Sequence, residues 1–152
     1  MREKNARLYD KFCNSSLDTA SVGIIPGSER SFSGLTPSGA RVFAWAVLGS
    51  AHFCTVGEFD ETVFAVNPDA PESMEVRPVA ESIQALFGLI IACKGVKLIW
   101  SASRYSRVEF ENALAAQKTS AKQRSVLRAL GNIYHPPVIS DPYGYMETLR
   151  RK

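Results

Sequence analysis

The sequence predicts an α+β fold in which an antiparallel β-meander packs against helices, with a helical C-terminal extension. Three runs dense in aromatic and β-branched residues, 41–48, 51–56 and 62–66, follow each other with short turns between them. Apolar residues then recur at helical intervals from residue 81 onward. With 152 residues, of which 45% are hydrophobic, the chain can bury a core without a disulfide or a metal ion.

The first 40 residues predict one helix followed by a long loop. In residues 2–13, Leu8, Tyr9, Phe12 and Cys13 occupy one helical face, with charged residues opposite. Residues 14–39 are rich in Ser, Gly, Thr and Pro, which favours a loop containing at most a short strand near residues 22–25.

The three strand-like runs predict two tight hairpins, because only Gly49-Ser50 separates the first pair and residues 57–61 the second. Strict alternation along the first strand places Phe43, Trp45 and Val47 on one face of the sheet. Residues 67–78 contain three prolines and are therefore expected to lie outside the sheet.

The predicted helix over residues 81–93 ends near Gly95, a plausible C-cap, and residues 96–100 fit either a strand or a helical turn. Ser106 and Ser120 each begin a capping-box pattern, which predicts two further helices. The second of these is expected to stop at Gly131-Asn132.

The last predicted element is a terminal helix. Asp141-Pro142 combines a favourable N-cap with a proline at the first helical position, and the helix is expected to run through Arg151. We interpret the chain as a single domain, 1–152, with an α+β core over residues 1–100 and the helical extension over residues 101–152.

The cysteines and the N-terminus indicate a cytoplasmic protein. Cys13, Cys54 and Cys93 form no close pair in sequence, which is typical of reduced thiols. The charged N-terminus resembles no signal peptide, and no apolar run approaches the length of a membrane span. We therefore expect no membrane association.

Charge is distributed unevenly along the chain, although the formal net charge is only +3. No Lys or Arg occurs between Val42 and Val76, where six acidic residues lie, whereas the stretch from Lys94 to the end carries eleven basic residues against four acidic ones. This pattern predicts a molecule with two oppositely charged ends that can steer a charged partner.

Little in the sequence indicates bond-making chemistry. His52 and Cys54 are two residues apart on one predicted strand, about 7 Å by strand geometry, which is too far for a nucleophile and its base. The favoured reading of Cys54 is a buried thiol on the inner face of the sheet. Neither the histidines nor the cysteines have metal-ligand spacing, so we expect no metal and no cofactor.

The middle of the chain resembles the SUKH superfamily, which includes yeast glucan-synthesis-regulator-like proteins and bacterial toxin-immunity proteins. The resemblance covers roughly residues 40–95. It rests on the order of a strand run, HFCTV at 52–56, an acidic turn, TVFAVNP at 62–68, and VAESIQAL at 79–86 before an apolar helix. It implies an α+β domain that binds protein partners, often toxin domains, and it implies no catalytic residues.

The leading hypothesis is thus a non-enzymatic, cytoplasmic protein-binding module, an immunity or regulatory protein of a bacterial cell. The expected partner-binding residues lie in two acidic segments of the chain: Glu58, Phe59, Asp60, Glu61, Asp69, Glu72 and Glu75. Two alternatives remain open. One is a nucleic-acid-associated protein that uses the basic C-terminal helices, which we consider the less favoured, and the other is an enzyme built around Cys54 and His52.

Overall fold

A computed structural model describes residues 3–27, 37, 39–47, 49–57 and 61–151. It contains a five-stranded antiparallel sheet in the order β1-β2-β3-β4-β5, so each strand pairs with its neighbour in sequence. The strands are β1 (Ile24–Pro26), β2 (Ala40–Ala46), β3 (His52–Val56), β4 (Val63–Val66) and β5 (Val76–Ala80). The predicted α+β meander is confirmed.

Six α-helices accompany this sheet in the described part of the chain. Their bounds are α1 (Glu3–Cys13), α2 (Ile83–Ala92), α3 (Lys97–Ser101), α4 (Arg107–Ala116), α5 (Ala121–Tyr134) and α6 (Pro142–Arg150). Short 3₁₀ turns lie at Thr19–Val22 and Ala102–Arg104. The segment 96–100, which fitted a strand or a helical turn, is thus helical from Lys97 onward.

The helix starts follow from local chemistry. The Ser106 and Ser120 side chains each accept a hydrogen bond from the backbone N–H three residues on. The side-chain oxygens of Glu109 and Gln123 in turn accept one from the backbone N–H of the cap residue. Asp141 caps α6 by accepting from the Gly144 amide at 3.1 Å. All three predicted helix starts are confirmed. The expected stop at Gly131-Asn132 is wrong, because α5 continues to Tyr134 and ends at His135 in the left-handed conformation.

The prolines do not exclude residues 76–78 from the sheet. Pro78 lies within β5, opposite Phe64 of β4. Since β5 is an edge strand, a residue without an N–H is tolerated where that N–H would point away from the sheet. The expectation that 67–78 lies wholly outside the sheet is therefore wrong for its last three residues.

A β-bulge at Phe43 changes which side chains share a face. Val42 pairs with Cys54 and Ala44 pairs with Phe53, so Phe43 is an extra residue in β2. Phe43 and Ala44 consequently pack into the main core. Val42 and Trp45 instead belong to a smaller hydrophobic cluster, formed by strand residues on the opposite face of the sheet. The predicted common face for Phe43 and Trp45 is wrong for this reason.

The main core joins one side of the sheet to the helices. Phe43 makes edge-on contacts with Phe12 of α1 and stacks on Phe53 of β3, with both centroid distances at 6.4 Å. Phe53 in turn stacks on Trp100 of α3 at 4.1 Å. Residues after position 100, such as Phe110, belong to the same core.

Candidate functional site

The predicted partner-binding residues that the structure describes lie at the two ends of β4. Glu61 lies just before β4, whereas Asp69, Glu72 and Glu75 lie in the loop between β4 and β5. The four residues of β4 span roughly 10 Å. The structure therefore brings the last three together but keeps Glu61 apart from them, and Glu58, Phe59 and Asp60 lie outside the described residues.

The β4–β5 loop, residues 67–75, is anchored by a buried amide. Asn67 is only 9% exposed, and its side chain accepts a hydrogen bond from the Asp69 amide at 3.1 Å and donates one to the Trp100 carbonyl at 3.2 Å. Its own backbone N–H donates to the Glu75 carbonyl at 2.7 Å. Asp69 and Glu72 are thus held exposed on a fixed loop.

Basic residues of the C-terminal half approach this loop. The Arg104 guanidinium donates to the backbone carbonyl of Asp69, and Arg150 contacts the sulfur of Met74 at 3.8 Å. The uneven charge of the sequence therefore does not become two fully separated ends, because the helical half folds back onto the acidic loop.

Several other basic side chains are already engaged within the protein. Arg107 forms ion pairs with Asp141 at 2.9 Å and Glu111 at 3.2 Å, and hydrogen bonding to Arg107 lowers the pKa of Asp141. Lys122 pairs with Asp18 at 2.5 Å. Part of the basic surface is therefore neutralised by acidic side chains of the same chain, and these side chains need no nucleic acid as a partner.

His52 and Cys54 are fully buried. Both are 0% exposed, and Cys54 lies in the smaller cluster, on the face of the sheet that Trp45 occupies. Cys54 is buried as expected, but it does not face the helices. Burial raises the pKa of the Cys54 thiol to about 12, so the thiolate needed by a nucleophile is disfavoured.

The imidazole of His52 is used in packing and in the β2–β3 hairpin. Its Nδ1 lies 2.9 Å from the Ser50 carbonyl, and its ring packs on Trp45 at 4.4 Å between centroids. Among the described residues no group of three His, Cys, Asp or Glu side chains is placed to hold a metal ion.

A large concavity among the described residues is one that the sequence analysis did not identify. It has a volume of about 870 Å³ and lies between the first 3₁₀ turn, the end of β2, α3 and the end of α4. We call it the lysine groove, because Lys94, Lys97 and Lys118 line it and no Asp or Glu among the described residues does. Apolar side chains such as Val22, Val47, Leu98 and Trp100 form much of its wall.

Two glycines in the floor of the lysine groove have no room for a side chain. Gly23 has φ +106°, and a Cβ there would lie 2.4 Å from Val96 Cγ2. Gly95 has φ +132° and would place a Cβ 3.2 Å from the Val22 carbonyl oxygen. This close approach allows the Val96 amide to donate to the Val22 carbonyl at 3.1 Å, so the floor of the groove is preformed.

Lys94 connects two sides of the groove. Helix α2 ends in a Schellman motif, in which Lys94 has φ +59° and the Gly95 amide donates to the Ile90 carbonyl at 2.9 Å. The Lys94 ammonium then donates to the carbonyls of Leu114 and Gln117 at the end of α4, at 3.1 and 3.3 Å. Gln117 Nε2 donates back to the Lys94 carbonyl at 3.0 Å.

No local sequence signal identifies this groove. Its three lysines come from the α2–α3 connection, α3 and the segment after α4, and each alone resembles an ordinary surface lysine. Only the docking of α3 and α4 beside the first 3₁₀ turn brings them to one cavity.

Comparison with known proteins adds no relative. No family model, no curated protein and no solved structure matches the chain. Among the described helices, none is by itself long and apolar enough to cross a membrane, and the segments 83–92 and 97–104 reach that length and composition only as a pair bent by 96°.

Proposed function

We propose that the chain is a cytoplasmic, non-enzymatic protein-binding module of SUKH type, acting as an immunity or regulatory protein. The observation that carries this proposal is the anchored β4–β5 loop, which holds Asp69 and Glu72 exposed through the buried Asn67 side chain. A loop that is ordered before binding loses less conformational entropy when a partner docks. The SUKH resemblance implies an antiparallel sheet packed against helices, and the fold of this chain is of that kind.

The partner expected for this surface is a basic protein domain, such as a toxin domain. Exposed carboxylates increase the association rate of a positively charged partner more than they slow its dissociation. Burial of Cys54 and His52 favours binding over a reaction at these two side chains.

The proposal is tested by capturing a crosslinked partner from the native cell and purifying it. Its association rate is then measured with the unaltered chain and with the variant Asp69→Lys/Glu72→Lys at 50 and 300 mM salt. We expect this variant to lower the association rate about tenfold at 50 mM salt and much less at 300 mM. Co-expression that relieves toxicity of the captured partner would specify an immunity role.

A control with the same change in net charge is Asp10→Lys/Glu111→Lys, on the exposed surfaces of α1 and α4. It should leave the association rate within about twofold of the unaltered chain. Equal rates for the loop variant and the unaltered chain would exclude the loop as the docking surface. Binding of mixed DNA or RNA near 50 mM salt, weakened steeply by added salt, would instead favour the nucleic-acid alternative.

A further inference from the structure

We propose that the lysine groove is a binding site for an organic anion with an apolar body, such as an arylalkyl carboxylate. This site is separate from the acidic loop, and its ligand differs in charge from the partner proposed above. The inference rests on the shape of the groove, its unbalanced charge and the way its walls are fixed.

The shape suits a small organic molecule. A volume of about 870 Å³ falls within the range of roughly 300–1,000 Å³ that is usual for small-molecule sites. In the floor, the Val96 amide donates a hydrogen bond to the Val22 carbonyl and so links α3 to the first 3₁₀ turn. On the far wall, Gln123 Nε2 donates to the Ser21 carbonyl at 3.0 Å. A cavity held by such contacts is formed before the ligand arrives.

The charge of the groove is not balanced by its own lining. The Lys94 ammonium already donates hydrogen bonds to two carbonyls. These bonds fix its position and leave it fewer N–H donors for a ligand. Lys97 and Lys118 are exposed, and neither forms an ion pair with any residue that the structure describes. Two ammonium groups beside one cavity, with no carboxylate from the described part of the chain lining it, favour an anionic ligand over a neutral or cationic one.

The apolar part of the ligand is specified by the walls. Val47, which directly follows β2, is 39% exposed, so part of its aliphatic side chain faces water. It lines the groove together with Leu98 and Trp100. Leu98 is already buried, but an apolar body that covers Val47 and Trp100 removes part of their surface from water, while its anionic group remains near the lysines.

The test uses 8-anilinonaphthalene-1-sulfonate, an aromatic anion that fluoresces when it leaves water. We expect saturable binding of one molecule per chain to the folded full-length protein, with affinity that falls as salt is raised. The variant Lys97→Glu/Lys118→Glu should weaken this affinity at least about tenfold. Excess 4-phenylbutyrate, an arylalkyl carboxylate, should displace the probe.

Two variants separate the groove from general effects of charge and folding. Arg128→Glu/Arg151→Glu changes the net charge equally at exposed positions outside the groove, and should keep the affinity within about twofold. Ala116→Trp, at an exposed position of the wall, should block the probe by occupying the cavity. Near-ultraviolet circular dichroism and a cooperative thermal transition confirm that each variant is folded.

The uncharged analogue N-phenyl-1-naphthylamine tests the need for an anion. It should bind more weakly than the sulfonate and should not respond to the lysine substitutions. Absence of saturable sulfonate binding, equal affinity in the Lys97→Glu/Lys118→Glu variant, or equal loss in the Arg128→Glu/Arg151→Glu control would overturn the proposal. Displacement by an acidic peptide but not by 4-phenylbutyrate would overturn the assignment to a small organic anion.

Discussion

The guanidinium of Arg77, on edge strand β5, donates a hydrogen bond to the backbone carbonyl of Ile99 in α3. Arg77 is only 7% exposed, and burial lowers its pKa to about 10. This contact gives a hydrogen-bond donor to a carbonyl near the end of α3. Helix α3 packs beside the sheet and also lines the lysine groove.

Substitution of Arg77 should therefore destabilise the fold more than substitution of an exposed arginine that makes a similar contact. We expect Arg77→Met to lower the free energy of unfolding by about 1–3 kcal/mol, because the Ile99 carbonyl loses its donor. Arg104→Met, which removes a donor from the exposed Asp69 carbonyl, should cost less than about 1 kcal/mol. Urea unfolding of both variants measures the difference, and equal costs would contradict the assigned role of Arg77.

The bulge in β2 makes Phe43 a core residue. Phe43→Ala should reduce the free energy of unfolding by about 3–5 kcal/mol, because it removes contacts with Tyr9, Phe12 and Phe53. Val47, which strict alternation would place on the same face, is 39% exposed, and Val47→Ala should cost less than about 1 kcal/mol. Thermal and urea unfolding distinguish the two, and a small effect at Phe43 would contradict the observed register.

Two helical glycines provide a matched pair. A Cβ at Gly88 in α2 would lie 2.4 Å from the Pro137 carbonyl oxygen, whereas a Cβ at Gly131 in α5 would have its nearest neighbour at 3.7 Å. We expect Gly88→Ala to destabilise by about 1–2 kcal/mol despite the better helix propensity of alanine. Gly131→Ala should instead stabilise by about 0.5–1 kcal/mol.

The thermal midpoints of the two alanine variants measure this contrast. If both substitutions raise the midpoint, the close packing of α2 against the segment after α5 is not as described.

The stability of the protein should decrease in mild acid because of His52. Burial lowers the pKa of His52 below its ordinary value of 6.5, an effect that the Ser50 carbonyl partly opposes. Below pH 6.5 the unfolded chain binds a proton that the folded protein resists, so stability is full above this pH and falls as the pH drops through the window beneath it. Thermal midpoints between pH 7.5 and 5.5 measure this loss.

His52→Gln should flatten this pH dependence. The control is His135→Asn, which replaces the other histidine at an exposed left-handed position that asparagine tolerates. That variant should retain the loss in acid, and an unchanged profile for His52→Gln would assign the effect to other groups.

Much of the fold follows from contacts between residues that are close in sequence. Ser106 and Ser120 were identifiable as helix starts because a capping box joins residues three positions apart. The meander was predictable because the few residues that separate neighbouring strand-like runs in the sequence leave the strands few options other than antiparallel pairing. The acidic character of residues 69–75 is likewise plain in the sequence.

Features that depend on distant contacts were decided only by the tertiary structure. The bulge at Phe43 depends on how β2 registers against β3, and it moves Trp45 to the opposite face from Phe43. Pro78 is tolerated because β5 is the last strand, a property of sheet order rather than of its own sequence. The grouping of Lys94, Lys97 and Lys118 depends on the docking of α3 and α4, since no short-range pattern encodes the distance between their side chains.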